Sequence, residues 1–252
     1  MFSTFKMLFV YMTLGSLAGI IGIPYTLLVR DVSLLYRVAM RITALGVRVA
    51  GIRVEITGLE RIPAGRSCIF MSNHVSNLDP PVLIPFLPGR SSVLLKKEIV
   101  SIPILGTAMR LAQFVPVERG NRVEAAKASI AAAAAALRDG LHMMVYPEGT
   151  RAKDGRLKPF KKGPFFLAEE TKAPIIPIVI SGTQHMMRKG SAAITPGVAR
   201  VEILAPIEPA DYASREEMMA AVRAAMIEAL PVEMRPVEEV ATSRAASEAT
   251  SE

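Results

Sequence analysis

The sequence predicts an α/β fold: a single domain with a mixed, mostly parallel sheet flanked by helices, preceded by an N-terminal two-helix membrane anchor. From residue 52 onward, short apolar runs of strand length alternate with segments of helical periodicity, the order typical of βαβ units. Residues 7–29 contain no charged side chain. A chain of 252 residues is long enough for one sizeable α/β domain with appendages.

The composition favours a membrane surface over nucleic acid as the negatively charged partner. The chain is 51% hydrophobic, with a formal net charge of +7, a pI near 9.7 and a mean hydropathy of +0.34. Anionic lipid and nucleic acid both fit that charge. Tryptophan is absent and aromatic residues make up only 6%, which leaves few stacking platforms for single-stranded nucleic acid. We therefore expect a membrane surface as partner and no nucleic acid.

The cysteine and histidine counts argue against disulfide and metal sites. Cys68 is the one cysteine, which excludes an intramolecular disulfide, and its apolar neighbours predict a buried, unreactive thiol. His74, His142 and His185 are too scattered for a zinc-binding pattern. These counts predict that the chain has no zinc cluster.

The N-terminal region, 1–50, is predicted to be the membrane anchor. An apolar helix over 7–29 would reach about 34 Å, enough to cross a bilayer, although its glycines and Pro24 favour a break. A basic amphipathic helix over 33–50 places arginines along one side, as in helices that lie in the lipid interface. The alternatives are a cleaved signal peptide for the first segment and a surface helix packed on its own domain for the second. The arginines after the apolar run favour a cytoplasmic domain.

The α/β domain is predicted over 51–232. Strands are predicted at 52–56, 67–71, 93–95, 114–117, 143–146, 175–180 and 199–204, and helices at 80–86, 98–111, 123–138 and 215–229. Pro116 cannot donate to a ladder, so its strand is predicted at an edge or with a bulge. Residues 233–252 are rich in Glu, Ala, Ser and Thr and are predicted to be a disordered tail.

The first chemically informative stretch is 72–81, directly after a predicted strand. Pro80 and Pro81 fit only the first turn of a helix, which puts Asp79 near the N-cap and His74 in the loop before it. If that loop folds back, the carboxylate can hold one ring nitrogen protonated and leave the other free to take a proton from a hydroxyl. An ordinary loop histidine and a capping aspartate are the alternative interpretation.

The second stretch, 145–151, also follows a predicted strand. Glu148, Gly149 and Thr150 indicate a tight turn with exposed backbone N–H groups, and Arg151 can bind an anion in a bidentate manner. Lys97 and Arg119 add cations at two other strand ends. Cations converging on one cleft would suit a phosphate monoester, whereas a solvated basic loop is the alternative.

These stretches together resemble the glycerolipid acyltransferase family, and within it the bacterial 1-acyl-glycerol-3-phosphate acyltransferases. The N-H-x-S-x-x-D block corresponds to 73–79, the second block to 114–119, the third to 146–151, and the fourth, apolar with a central proline, to 173–178. The resemblance covers about residues 50–210. Tyr146 and Ala152 depart from the third block, where the family has phenylalanine and serine.

The resemblance implies direct transfer of a fatty acyl chain from a thioester, acyl-CoA or acyl-carrier-protein, to the sn-2 hydroxyl of 1-acyl-glycerol-3-phosphate, giving phosphatidic acid in phospholipid biosynthesis. His74 would be the general base and Asp79 would orient it, with no metal and no bound cofactor needed. The implied acceptor-binding residues are Arg119, Glu148, Gly149, Thr150, Arg151 and Lys97. The implied location is the cytoplasmic face of the inner membrane. The open alternatives are another acceptor (glycerol-3-phosphate or a lyso-aminolipid), a lipid hydrolase and a non-catalytic basic membrane-binding protein.

Overall fold

The computed structural model describes residues 1–117, 123–188 and 190–237. Seven strands form one sheet: β1 Ile52–Thr57, β2 Ile69–Ser72, β3 Ser91–Lys96, β4 Val115–Val117, β5 His142–Val145, β6 Ile175–Ser181 and β7 Gly197–Ile203. Their order across the sheet is β1-β7-β6-β2-β5-β3-β4. The pairs from β6 to β4 are parallel, β7 pairs antiparallel with β6, and β1 runs parallel to β7. The predicted mixed, mostly parallel sheet is confirmed.

The helices of the described chain flank this sheet and precede it. They are α1 Phe2–Val10, α2 Ser16–Val29, α3 Ser33–Val49, α4 Asp79–Leu83, α5 Leu105–Leu111, α6 Val123–Arg138, α7 Gly163–Thr171, α8 Thr183–Met186 and α9 Arg215–Ala229. A π-helical turn at Tyr11–Gly15 joins α1 to α2, and 3₁₀ turns occupy Leu59–Arg61, Ile84–Phe86, Lys97–Ser101, Pro209–Asp211 and Val232–Met234.

The core has a layer on each side of the sheet because neighbouring strand residues face opposite ways. Ile69 and Met71 of β2 pack in one layer with apolar residues of α6, α7 and α9. Phe70, between them in sequence, packs in the other layer with residues of α3 and α4. Three alanines of the alanine-rich helix α6 are fully buried, as expected for close packing. The central strands are buried on both faces, which is usual for parallel sheets.

The parallel arrangement positions the candidate site. Strands β6, β2, β5, β3 and β4 all end at one edge of the sheet. The segments that follow these strands therefore meet there, in the place where open α/β sheets bind ligands. His74 follows β2, Tyr146 follows β5, and Lys97 follows β3.

The N-terminal helix is longer and more continuous than predicted. The helical run Phe2–Val29 spans 28 residues, has a mean hydropathy of 1.8 in its most apolar window and is mostly exposed. It begins five residues before the expected start. The glycines and Pro24 favoured a break, but the chain stays helical through Pro24 and changes only to a π-helical turn at Tyr11–Gly15. By length and composition this helix could cross a membrane.

The basic helix α3 packs against the domain as well as against α1 and α2. Leu35, Tyr36 and Val47 are buried, and the Tyr36 hydroxyl accepts a hydrogen bond from the Ser91 backbone N–H at 2.9 Å. Its arginines, Arg37, Arg41 and Arg48, are exposed. Part of the apolar side of α3 therefore lies on its own domain, as the alternative interpretation of this helix expected.

The loop between β3 and α5 also contacts the N-terminal helix, through Ile104. This residue has φ +64° and ψ −64°, and the Leu105 N–H bonds to the Pro103 carbonyl across it at 2.6 Å. A γ-turn with positive φ is rare and strained, especially at a β-branched residue. The Ile104 side chain packs on Gly19 so closely that a Cβ at Gly19 would overlap its Cγ2 atom.

Several predicted elements differ from the observed ones. The predicted helix 98–111 is a 3₁₀ turn at Lys97–Ser101 followed, after the γ-turn, by α5. Helices α7 and α8 were not predicted. The described part of the predicted tail contains a 3₁₀ turn, Val232–Met234, with Met234 buried in the core. This buried methionine extends the ordered domain past residue 232, and residues 238–252 lie outside the described residues.

Candidate active site

The loop between β2 and α4 carries His74 and is tied to the neighbouring elements. The Asn73 side-chain amide donates to the Ile180 carbonyl at 2.9 Å and accepts from the Ile180 N–H at 2.8 Å. The Ser76 hydroxyl donates to the Met187 carbonyl at 3.0 Å. Both residues are buried, so these bonds fix the loop to β6 and to the segment after α8. Within the loop, the Ser76 hydroxyl also accepts from the Leu78 N–H at 3.3 Å.

The loop folds back so that His74 contacts the start of α4. The His74 Nδ1 atom lies 2.8 Å from Asp79 Oδ2. The same carboxylate oxygen accepts from the backbone N–H groups of Val75 and Ser76, each at 2.8 Å. Oδ1 accepts from the Thr183 hydroxyl at 2.6 Å. Asp79 and His74 therefore meet, as the sequence analysis considered for a loop that folds back. Asp79 is the first residue of α4, and Leu78 is the N-cap.

This geometry determines which ring nitrogen can act as a base. The Asp79 carboxylate is completely buried, while 17% of the His74 side chain is exposed. Since the carboxylate accepts at Nδ1, the proton of a neutral imidazole belongs on Nδ1 and the lone pair on Nε2. No described residue hydrogen-bonds to Nε2. The pair is arranged to take a proton from a bound hydroxyl.

Glu148 lies beneath this loop and does not point to solvent. Its Oε1 accepts from the His74 backbone N–H at 2.6 Å, and its Oε2 accepts from the Lys158 backbone N–H at 3.0 Å. Only 2% of the residue is exposed, and burial raises the pKa of its carboxyl to about 7. Both oxygens are therefore used to hold two loops together, and the expected contact of Glu148 with a substrate stays a prediction.

Gly149, Thr150 and Arg151 follow at the same edge of the sheet. Gly149 is exposed with φ +70°, a backbone conformation that favours glycine. The exposed Thr150 hydroxyl accepts from Lys158 Nζ at 2.7 Å. Arg151 is partly buried. The next residue, Ala152, donates its N–H to the His74 carbonyl at 2.9 Å, which places this turn beside the histidine.

The other two predicted cations follow β3 and β4. Lys97 is exposed and begins the 3₁₀ turn at the end of β3, at the site edge but two strands away from β2. Arg119 lies outside the described residues. Lys97 therefore lies at the same edge of the sheet as His74, and its role in substrate binding stays a prediction.

Sequence reasoning missed two residues that contact the pair. The Tyr146 ring stacks on the His74 ring, with centroids 4.1 Å apart and 22° between the planes. Thr183 supplies the hydroxyl on Asp79 Oδ1 and is fully buried. The signal for Thr183 was available: Ser181, Gly182 and Thr183 follow the predicted strand 175–180 and must reach the same edge as His74.

Within the described ranges, no group of three or more His, Cys, Asp and Glu side chains is placed to hold a metal ion. The expectation that the reaction needs no metal and no cofactor stays a prediction. His142, which is buried, accepts a hydrogen bond from the Cys68 N–H at its Nδ1 atom, 3.2 Å away. Burial raises the pKa of the Cys68 thiol to about 11, so both residues belong to the core.

The part of the chain that matches known proteins includes the residues of this site. A family model described as "Acyltransferase" matches residues 53–181. The chain is 35% identical over 162 residues to a 1-acyl-sn-glycerol-3-phosphate acyltransferase of Limnanthes alba, in a match that covers 64% of this chain and 57% of that protein. It is 34% identical over 157 residues to the human 1-acyl-sn-glycerol-3-phosphate acyltransferase alpha, covering 62% and 56%. The matches thus span little more than half the length of these relatives.

A solved structure extends the similarity over more of the chain. The crystal structure of the 1-acyl-sn-glycerophosphate (LPA) acyltransferase from Thermotoga maritima matches with a TM-score of 0.77 at 26% identity. That match covers 89% of this chain and 92% of the other.

Proposed function

This chain belongs to the acyltransferase family, and we propose that it transfers a fatty acyl chain from a thioester to the sn-2 hydroxyl of a 1-acyl-glycerol-3-phosphate, giving phosphatidic acid. The observation that carries the proposal is the histidine held by a buried carboxylate at the strand-end edge, with Nε2 facing no described partner. The names of the similar proteins support the choice of acceptor.

In the proposed reaction His74 Nε2 takes the proton of the acceptor hydroxyl. The oxygen then attacks the thioester carbonyl, the new C–O ester bond forms, and the C–S bond breaks. The proton on His74 passes to the departing thiolate. Asp79 stabilises the imidazolium and holds the ring in orientation, because its carboxylate stays buried against Nδ1.

The acceptor phosphate is proposed to bind at the same edge. Arg151 and Lys97 offer charge, and the turn at Gly149 and Thr150 offers backbone and hydroxyl groups. Arg119 is proposed to add a further cation from the segment after β4. Glu148 takes a different part in this proposal: it positions the His74 backbone and does not touch substrate.

The proposed location is the cytoplasmic face of the inner membrane, where both the acceptor and the product are lipids. The exposed apolar helix Phe2–Val29 supports membrane attachment. The arginines that follow it, on α3, support a cytoplasmic domain. The donor is an acyl thioester, either acyl-CoA or acyl-carrier-protein.

The decisive experiment compares wild type with His74→Ala and Asp79→Asn, purified in detergent, using labelled oleoyl-CoA and 1-acyl-glycerol-3-phosphate. We expect each variant to lose about 10²- to 10⁴-fold in kcat, because one lacks the base and the other lacks the group that fixes its tautomer. Thermal midpoints measured in parallel report whether the variants fold.

A folded His74→Ala variant with wild-type kcat would contradict the mechanism. If wild type forms no phosphatidic acid with oleoyl-CoA or with an acyl-carrier-protein donor, the acceptor assignment is wrong, and glycerol-3-phosphate and lyso-aminolipids are then compared as competing acceptors. Fatty acid release without any acceptor would instead identify a hydrolase.

A further inference from the structure

A polar cavity of about 510 Å³ lies beside the loop that carries His74. Val75 and Ala152 form its buried part, Lys153 lines one side, and Gln184, His185 and Arg188 line the other. His74 itself does not line it. Its volume falls within the range of about 300–1,000 Å³ that is typical of small-molecule sites.

Both sides of this cavity are fixed to the loop of the candidate active site. On one side the Ala152 N–H donates to the His74 carbonyl at 2.9 Å. On the other, the Met187 carbonyl accepts from the Ser76 hydroxyl at 3.0 Å. Val75, the residue after His74, also lines the cavity, so the cavity lies against the loop that carries the histidine.

The charge of the cavity favours an anion. Lys153 and Arg188 are exposed cations, and no ion pair or side-chain hydrogen bond joins either to another described residue. The imidazole ring of His185 also lines the cavity. The one acid on the cavity wall, Asp154, already accepts a hydrogen bond from the Arg156 N–H at 3.2 Å. Two cations and one acid leave the wall net positive.

The Gln184 amide is poorly satisfied in its present position. Its oxygen is buried and hydrogen-bonds to no described residue. Its nitrogen has only the Met234 thioether, a weak acceptor, at 3.5 Å. Rotating the amide toward the cavity would lose one weak bond and would gain a stronger one to a ligand oxygen. The weakly bonded amide nitrogen is therefore the atom of Gln184 that can donate to a ligand oxygen.

The position of the cavity separates the two substrates of the proposed reaction. In the acceptor, two carbons and one oxygen join the attacking oxygen to the phosphorus, so that phosphate must bind within reach of His74. In a coenzyme A thioester, the pantetheine arm separates the reacting carbonyl from the nucleotide phosphates. A cationic cavity next to the active-site loop, but not lined by His74, matches the second case.

On this basis, and resting on the proposed acyl transfer, we propose that the cavity lined by Lys153, Gln184, His185 and Arg188 binds the nucleotide phosphates of a coenzyme A thioester. The lysine and arginine contact phosphate oxygens, and Gln184 donates its amide N–H. The acyl and pantetheine parts then extend past the 73–78 loop toward His74.

The test uses the full-length chain in non-ionic detergent and the double variant Lys153→Ala/Arg188→Ala. Its matched control is Lys127→Ala/Arg138→Ala, which removes the same charge from exposed positions of α6, with Arg138 at the opposite edge of the sheet. We expect the Kd for unacylated coenzyme A, measured by calorimetry, to rise about tenfold or more in the double variant and to stay unchanged in the control. The KM for oleoyl-CoA should rise similarly, with kcat and the acceptor KM unchanged.

Each other result overturns the proposal in a distinct way. Wild type that fails to bind coenzyme A, or a double variant that binds it as wild type does, shows that the cavity is not its site. A rise confined to the acceptor KM assigns the cavity to the acceptor phosphate. If the enzyme accepts only an acylated carrier protein as donor, and the double variant turns it over more slowly, the cavity is assigned to the carrier protein. Because the calorimetry needs no turnover, a missing acyltransferase activity and a missing coenzyme A site are distinguished.

Discussion

Glu148 is a buried acid whose protonation state affects the stability of the folded chain. Its two oxygens join the backbone of His74 to that of Lys158, and burial raises its pKa to about 7, from a usual value near 4.5. Between these two pH values the folded chain keeps a proton that the unfolded chain has released. The stabilising contribution is therefore complete below about pH 4.5 and is lost as the pH rises to about 7.

We predict that the free energy of unfolding falls by about 3 kcal/mol from this one group as the pH rises through that window. Thermal midpoints of the detergent-solubilised protein between pH 5 and 8 measure the trend. Glu148→Gln is the matched variant, since it does not titrate. If that variant shows the same pH dependence as wild type, the trend has another source.

Tyr146 stacks on His74 with a hydroxyl group that is buried and hydrogen-bonds to no described residue. Burial, and to a smaller extent the nearby charge of Asp79, raise the pKa of this hydroxyl well above its usual value. A buried polar group without a partner costs about 1–3 kcal/mol. The ring supports the imidazole, whereas the hydroxyl destabilises the fold.

We predict that Tyr146→Phe, which keeps the ring, raises the thermal midpoint and leaves kcat within about twofold. Tyr146→Leu removes the stacked ring and should lower kcat by about tenfold, since catalytic groups depend on positions held within about 0.5 Å. Assays of both variants with 1-acyl-glycerol-3-phosphate test the contrast. A lower midpoint in Tyr146→Phe would mean that the hydroxyl is hydrogen-bonded in solution.

At the scale of elements, glycines permit the close approach of the N-terminal helices. A Cβ at Gly19 would overlap Ile104, and one at Gly46 would overlap the Tyr11 ring. Gly15, in the same helical run, has nothing within 4 Å of a built Cβ. Gly19 and Gly15 therefore form a matched pair in one helix.

We predict that Gly19→Ala destabilises the protein by about 1–3 kcal/mol, because the added methyl group displaces Ile104. Gly15→Ala should be neutral or slightly stabilising, since alanine favours a helix. Thermal midpoints in one detergent compare the two variants. Equal midpoints would show that the Ile104 contact contributes nothing to stability.

The elements that the sequence predicted are those with a strong period or a clear boundary. The alternating run at β1 and the alanine-rich α6 were predicted within one or two residues. Pro116 correctly indicated an edge, because β4 is the last strand of the sheet. Helix α7 was missed because a basic segment ending in Gly163 and Pro164 reads as a loop, although proline is favoured in the first turn of a helix.

In the candidate site, too, some features could be predicted from the sequence and others could not. Strand-end logic predicted which segments meet at one edge, and a loop folding back accounted for the contact between His74 and Asp79. It could not predict the direction of a side chain in a turn. Glu148 was therefore expected to face substrate, whereas its carboxylate is turned inward by two backbone donors from distant parts of the chain. The catalytic and binding roles themselves stay predictions.

At the scale of the whole molecule, the N-terminal region is packed into the domain. Met7 and Val47 belong to the same apolar cluster as strand residues such as Phe70. Tyr36 bonds to the first residue of β3. Removing this region would expose apolar surface and would leave the Ser91 N–H without its partner.

We predict that deletion of residues 1–50 lowers membrane recovery in vesicle flotation and also lowers the thermal midpoint in detergent. A shorter deletion, of 1–31, keeps α3 and should lose membrane recovery while retaining more of the stability. Full recovery of the longer deletion with vesicles would refute the role as an anchor. An unchanged midpoint would refute the packing role, and the two conclusions are independent.

The contact of Ile104 with Gly19 has a consequence for how such a chain can be recombined. If the first thirty residues were exchanged for an unrelated membrane-spanning segment, the chimera would remain attached to the bilayer. Ile104 would then face a helix without the matching glycine, and the strained turn that leads from Lys97 to α5 would lose its support. The anchor is therefore not an interchangeable module, and the two parts would have to be exchanged together.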